Sequence, residues 1–265
     1  MREVDHGAGG AVEPRGGSRG PAWLGALEGA PLDAVKSAAA LLMVCDHANT
    51  ILLNGAWTSL WRLGRVSYPL FALVLAVQAL RGVEPGRMLP TLLLAGILAQ
   101  PAYAVAFSYG TREANILFTL AAGFALAGAL LRAGDAARDL ALAALVAGVV
   151  ALPHPFRGGV DFGLAGIALP AALALVLVRP LRFGPHALLA LFALNWGNWK
   201  PAGEAPLPGA VLDLLAVLGG GALVVGGALL LRGRPRFLGR YALHAFYPGH
   251  LLMLAGVRAV TGTLA

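Results

Sequence analysis

The chain alternates between long apolar runs and short gaps that are rich in glycine, proline and arginine. A helix needs about 20 mostly apolar residues to cross the hydrocarbon layer, and its backbone groups must be hydrogen-bonded within the segment. The pattern therefore predicts an all-α fold, a polytopic integral membrane helix bundle with about nine transmembrane helices. The predicted spans are residues 32–53, 62–81, 88–108, 114–132, 138–153, 160–178, 184–199, 210–231 and 238–260.

The composition is that of a membrane protein rather than a soluble one. Hydrophobic residues make up 58% of the 265 residues and charged residues 12%, whereas a soluble domain carries about 25% charged residues. The mean hydropathy is +0.74. The net charge of +7 comes from arginines in the gaps, and no basic stripe is interleaved with aromatic residues. We therefore expect the lipid bilayer, and not nucleic acid, as a partner.

The distribution of lysine and arginine predicts the orientation, because these residues collect in cytoplasmic loops. The gaps after even-numbered runs contain Arg81, Arg87, Arg132, Arg138, Arg179, Arg182, Arg232, Arg234, Arg236 and Arg240, whereas the other gaps contain Arg62, Arg65, Arg112, Arg157 and Lys200. This bias predicts a multi-pass protein of the inner (cytoplasmic) membrane with a cytoplasmic N-terminus. Residues 1–30, which are Gly-rich and of mixed charge, are predicted to be a disordered cytoplasmic tail.

The chain contains a single cysteine, Cys45. Neither a disulfide nor a cysteine-based zinc site can form within one chain. No metal ion is predicted, and Cys45 is expected to be a small apolar residue of the first helix.

The first apolar run contains an aspartate and a histidine side by side, in the stretch LLMVCDHAN. An ionisable side chain at the centre of a bilayer costs about 2.5–3.5 kcal/mol, more than the roughly 0.6 kcal/mol of an average interhelical hydrogen bond. We therefore expect Asp46 and His47 to be functional. Lys36 and His47 differ by about 20° around a helix and lie about 16 Å apart along it, whereas Asp46 points about 100° away. Asp46 thus needs a partner from another helix, unless a bend of the helix brings its side chain to His47.

Further polar residues fall at a similar depth, toward the predicted outer face. They are Arg65, Gln100, Asn115, Asp161 and His250. A shared polar chamber that opens outward is the hypothesis for this group. The alternative is that outer helix ends are polar because they reach the interface. That alternative accounts poorly for His47, Gln100 and His250, which lie inside their runs.

Six motifs, taken in order, are similar to those of the TraX-like family of polytopic membrane proteins. They are the first-run Lys36 with MVCDH (43–47), GRVSYPLF (64–71), AQPAY (99–103), NILFTL (115–120), DFGLAG (161–166) and FYPGHLLML (246–254). The resemblance covers residues 32–256, and the combination is specific although each motif is short. DFGLAG departs from the family pattern, which more often has an aromatic residue before the second glycine.

The resemblance implies a membrane-embedded acetyltransferase. The member that gives the family its name is implicated in N-acetylation of the amino terminus of a conjugative pilin subunit. The family also resembles the wider group of transmembrane acyltransferases, in which a basic residue, ten intervening residues and a histidine lie in the first span, as do Lys36 and His47. Residues 31–265 would then form a transmembrane acyltransferase-like domain. It would move an acetyl group from cytoplasmic acetyl-CoA to an amine or hydroxyl acceptor, on a protein or an envelope molecule.

Such a transfer needs a base for the nucleophile and hydrogen-bond donors for the oxyanion. We expect His47 to be the base, or to accept the acetyl group itself. Asp46 either fixes the imidazole tautomer or pairs with Arg65, and Lys36 is expected to contact CoA. The candidate substrate or oxyanion groups are Arg65, Gln100, Asn115, Asp161 and His250.

Two other classes of function remain open. A proton-coupled transporter would use the Asp46/His47 pair as a relay, together with Asp161. The lack of a visible internal repeat argues mildly against a transporter. The third class is a membrane assembly factor without catalytic activity.

Overall fold

A computed structural model describes residues 22–107, 113–151, 159–196 and 206–262, and the secondary structure of these residues is helical. A 3₁₀ helix, Ala22–Leu27, precedes the α-helices. The α-helices are α1 (Ala30–Leu52), α2 (Thr58–Arg65), α3 (Ser67–Leu80), α4 (Pro85–Phe107), α5 (Ile116–Arg132), α6 (Asp135–Ala151), α7 (Gly163–Val178), α8 (Pro180–Trp196), α9 (Pro206–Leu229) and α10 (Ala242–Thr261). The all-α prediction is confirmed.

Each predicted apolar run corresponds to a helix, except that the run 62–81 is divided between α2 and α3. The break falls at Val66, and the next residue, Ser67, donates a hydrogen bond from Oγ to the Ala39 carbonyl of α1 (2.8 Å). Three segments are long and apolar enough to cross a membrane by length and composition. They are Thr58–Leu80, which joins α2 and α3, Pro85–Phe107 and Leu207–Leu229.

Helix α1 packs against α2, α3, α9 and α10, and α5 packs against α3, α4 and α7. Small residues permit the close approaches. At Gly123 of α5 a Cβ atom would meet the ring of Pro170 at 2.7 Å, so α5 and α7 are in near backbone contact. The largest apolar cluster includes Met43, Tyr103, Phe124 and Leu251, and it therefore joins the helices that carry the candidate polar residues.

Basic residues gather at one end of the bundle. There Arg179 at the end of α7 and Arg182 of α8 form ion pairs with Asp135 at the start of α6 (3.0 and 3.3 Å). The loop after α9 reaches the first turn of α1, where Arg236 meets Asp33. The gap after the fourth run therefore meets the gap after the sixth, and the gap after the eighth run meets the start of α1. Their cytoplasmic placement stays a prediction, and Arg112, Arg157 and Lys200 lie outside the described residues.

The described part of the chain begins inside the segment that was predicted to be a disordered tail. Leu24 and Leu27 are buried where the 3₁₀ helix packs against α1 and α9, and Arg81 donates to the Leu24 carbonyl (3.1 Å). The ordered structure therefore begins before the predicted limit at residue 30, because these two leucines cover apolar surface. Residues 1–21 lie outside the described residues.

Candidate functional site

His47 of α1 and His250 of α10 meet in the interior of the bundle. Nδ1 of His47 lies 2.7 Å from Nε2 of His250, and the two rings are nearly parallel, at 10°. Both side chains are buried. Phe246 stacks on His250 and the edge of Phe107 faces His47, each with ring centroids 5.0 Å apart. The aromatic rings thus hold the two imidazoles in one orientation.

The hydrogen bonds assign the tautomers of the pair. Nδ1 of His250 lies 3.0 Å from the Phe246 carbonyl oxygen, which can only accept, so this nitrogen carries a proton. In a neutral His250 the other nitrogen, Nε2, is then an acceptor. His47 must donate to it through Nδ1–H. Nε2 of His47 is left as the basic nitrogen, and His250 fixes its tautomer as a carboxylate does in a catalytic triad.

Asp46 pairs with Arg65, as one of the two predicted arrangements requires. Nη2 of Arg65 donates to both carboxylate oxygens (3.0 and 2.9 Å), and the guanidinium lies 4.0 Å from the centroid of the Trp61 ring. A Cβ atom at Gly64 would overlap the side chain of Asp46, so only glycine permits this approach of α2 to α1. No hydrogen bond joins Asp46 to His47 among the described residues.

Asp161, two residues before α7, lies near the same pair, since the charges of Arg65 and Asp46 act on its carboxyl. Its backbone is fixed from two sides: its N–H donates to the Ala114 carbonyl (2.9 Å), and its own carbonyl accepts from Thr119 Oγ1. Asp161 thus lies near the Asp46–Arg65 pair, and no hydrogen bond joins its carboxyl to that pair among the described residues.

Gln100 and Asn115 form a different group, at the junction of α4 and α5. Asn115 caps α5 by accepting from the Leu117 N–H, and its Nδ2 donates to Gln100 Oε1 and to the Gly96 carbonyl (both 2.8 Å). Nε2 of Gln100 donates to the Glu113 carbonyl (2.7 Å). The two amides thus bond to each other and to backbone, which gives them a structural reason to lie inside apolar runs. By their hydrogen bonds, the residues of the predicted chamber form three sets: the histidine pair, the Asp46–Arg65 pair, and Gln100 with Asn115.

A cavity of about 240 Å³ begins at the basic end of the bundle. Lys36, Arg236 and Arg240 line it at that end, and the remaining wall is mostly apolar. Phe246 and Tyr247, whose rings contact His250, line it at the level of the histidine pair. The cavity therefore runs along α1 from three cations toward His47 and His250.

Asp33 holds the basic end of this cavity together. It is fully buried; Oδ1 accepts from Lys36 Nζ (3.2 Å), and Oδ2 accepts from the N–H groups of Phe237 and Leu238 (both 3.2 Å). The loop that carries Arg236 is thereby fixed over the start of α1. Sequence reasoning did not single out Asp33, although an acid three residues before the lysine in a first helical turn was a usable signal.

Comparison with known proteins identifies the family. The family model for TraX protein matches residues 31–258. Protein TraX of Escherichia coli is 32% identical over 232 residues, which are 86% of this chain and 87% of that protein. No solved structure matches the chain. The matched residues include the histidine pair, the Asp46–Arg65 pair and the cavity, and the chain belongs to the TraX family.

Proposed function

We propose that this protein is a membrane-embedded acetyltransferase that moves an acetyl group from acetyl-CoA to an amine or hydroxyl of an acceptor protein or envelope molecule. The observation that carries this proposal is the cavity that runs from three cations to Phe246 and Tyr247, whose rings contact His250 of the buried histidine pair. Membership of the TraX family supports it.

The cavity matches the two chemical parts of acetyl-CoA. The nucleotide of CoA carries phosphates, for which Lys36, Arg236 and Arg240 supply positive charge at the basic end. The pantetheine arm is long and thin, and the mostly apolar wall accommodates it. An arm inserted from the basic end would bring the thioester to the level of Phe246 and Tyr247, beside His250.

His47 then serves as the general base. Its Nε2 takes the proton of the acceptor amine or hydroxyl, while the acceptor nitrogen or oxygen forms a bond to the carbonyl carbon. The bond from carbon to sulfur breaks, and the CoA thiolate leaves with the proton that His47 returns. His250 is a positioning residue, because it holds His47 in the tautomer that has a basic Nε2.

The alternative, a proton-coupled transporter with an Asp46/His47 relay, finds less support. The Asp46 carboxylate is engaged by Arg65 and the His47 ring by His250, so the two side chains have separate partners.

In the acetyltransferase, Asp46, Arg65 and Asp161 lie near the end of α1 that is opposite the basic end. We propose that the acceptor approaches there.

The proposal includes the membrane arrangement. The apolar helices are typical of a membrane protein, and three segments have the length and composition of spans. We propose that the remaining apolar runs also cross the inner membrane, with the N-terminus in the cytoplasm. The basic end would then face the cytoplasmic pool of acetyl-CoA.

Binding of radiolabelled acetyl-CoA to the detergent-purified protein, with release of free CoA, tests the proposal. Arg240→Glu is expected to raise the Kd for acetyl-CoA about 10- to 100-fold, since a hydrogen bond to a charged group contributes about 1.5–3 kcal/mol. Arg232→Glu is the matched control, because this substitution changes the net charge by the same amount. Arg232 is exposed and does not line the cavity.

Two results would contradict the proposal. One is that the wild-type protein neither binds acetyl-CoA nor releases CoA from it. The other is that vesicles containing the wild-type protein take up a solute, and His47→Ala abolishes that uptake, which would favour the transporter.

A further inference from the structure

The hydroxyl of Tyr247 is a buried polar group that has no hydrogen-bond partner among the described residues. The side chain is 4% exposed and lines the cavity. Leaving a buried hydroxyl without a partner costs about 1–3 kcal/mol. Its neighbour in sequence, Phe246, stacks on His250, and His244, one turn earlier in α10, is the other polar side chain of this part of the helix that lines the cavity.

Two groups act on the phenol electrostatically, the Asp161 carboxylate and the N-terminus of α5. The backbone amide of Ile116, the first residue of α5, lies beside the Tyr247 oxygen. The start of a helix carries the equivalent of about half a positive charge, and its first N–H groups have no partner within the helix. The Tyr247 ring also contacts the His250 ring, with centroids 5.7 Å apart. The phenol therefore lies between a helix N-terminus and the histidine pair, on the wall of the cavity.

We propose that Tyr247 is a catalytic residue whose hydroxyl binds the carbonyl oxygen of the acyl thioester and stabilises the oxyanion. This inference rests on the proposed acetyl transfer. When the acceptor nucleophile attacks the carbonyl carbon, the π electrons of the C=O bond move to the oxygen, and Tyr247 donates its O–H to that oxygen. The Ile116 amide polarises the phenol. Re-formation of the C=O bond expels the CoA thiolate, and Tyr247 keeps its proton throughout.

The donors that the sequence indicated are engaged elsewhere. Gln100 and Asn115 bond to each other and to backbone, and Arg65 is held by Asp46. An oxyanion donor must be directed at the reacting carbonyl before the reaction begins. Tyr247 is the candidate for this role because the residue lines the cavity and its hydroxyl is not engaged by a described residue.

Tyr247→Phe tests the inference, because it removes the hydroxyl and keeps the ring. We expect kcat for acetyl transfer to fall by about 10²–10³-fold, as when an oxyanion-hole donor is removed, with little change in the Kd for CoA. Tyr68→Phe is the matched control. It removes a buried hydroxyl that donates to the Gly166 carbonyl (2.7 Å), so it should lower thermal stability without this loss of kcat.

Two CoA analogues supply a second measurement. One is the methyl ketone in which CH₂ replaces the thioester sulfur, and the other is S-ethyl-CoA, which lacks the carbonyl. Wild type should bind the ketone more tightly, and Tyr247→Phe should bind both equally, whereas Tyr68→Phe should retain the preference. This comparison in the wild-type protein tests the inference even where the variant fails to fold.

The outcomes separate this inference from the proposed function. If wild type neither binds nor turns over acetyl-CoA, the proposed function fails, and the role of Tyr247 fails with it. If wild type is active but Tyr247→Phe has the wild-type kcat, only the role of Tyr247 is overturned. Equal binding of the two analogues by wild type would overturn it as well.

Discussion

Replacement of His47 by alanine is expected to reduce acetyl transfer by about 10²–10⁴-fold, the usual contribution of a general base. The reason is that Nε2 of His47 is the basic nitrogen of the histidine pair, whereas His250 uses both ring nitrogens in hydrogen bonds. The rate of CoA release and the transfer of radiolabel to the acceptor measure the effect. The Kd for acetyl-CoA should change little, because the cations at the basic end remain.

His186→Ala is the matched control for this variant. His186 lies in α8 near Phe183 and does not line the large cavity, so its loss should leave the rate near that of wild type. His250→Ala should have an intermediate rate, since it removes the group that fixes the tautomer and leaves the base. A His47→Ala protein that is folded and transfers acetyl at the wild-type rate would refute the assignment of the base.

Replacement of Arg65 by alanine is expected to lower the free energy of unfolding by about 3–5 kcal/mol, because loss of one partner leaves the other charge buried and unpaired. Arg65 is 6% and Asp46 14% exposed, so solvent screens the remaining carboxylate poorly. The loss of the contact between the guanidinium and Trp61 adds to the effect. The midpoint of thermal unfolding in detergent measures it.

The double variant Asp46→Ala with Arg65→Ala should be more stable than Arg65→Ala alone, since it contains no unpaired charge. Arg182→Ala is the control, because Arg182 pairs with Asp135 and Asp139 at the end of the bundle, where all three side chains are at least 39% exposed. Exposed ion pairs contribute little to the free energy of unfolding. Equal unfolding midpoints for Arg65→Ala and wild type would show that the pair does not stabilise the bundle.

The helices could be predicted from the sequence because hydrophobicity is a local property. Apart from the run 62–81, which is divided between α2 and α3, each apolar run became one helix within four residues of its predicted limits. Glycine and proline separate the runs. The break at Val66 was not predicted, because it depends on contacts of Gly64 and Ser67 with α1. Local composition says nothing of such contacts.

Part of the candidate site also followed from sequence. Helical geometry placed Lys36 on the stripe that leads toward His47, and the cavity runs along that side of α1. The same geometry directed Asp46 away from His47, and one of its predicted partners, Arg65, is the one observed. These inferences succeeded because they depend on one helix, or on two helices that are adjacent in sequence.

What the sequence by itself determined is the all-α class, the apolar runs, the TraX-like motifs and the relation of Lys36, Asp46 and His47 around one helix. Only the tertiary structure decided that His47 bonds to His250, 203 residues away, that Asp33 ties the loop after α9 to α1, and that Gln100 and Asn115 serve the α4–α5 junction. The physical reason is that periodicity specifies which face of a helix a residue occupies, whereas the partner on the facing helix is set by how the helices pack.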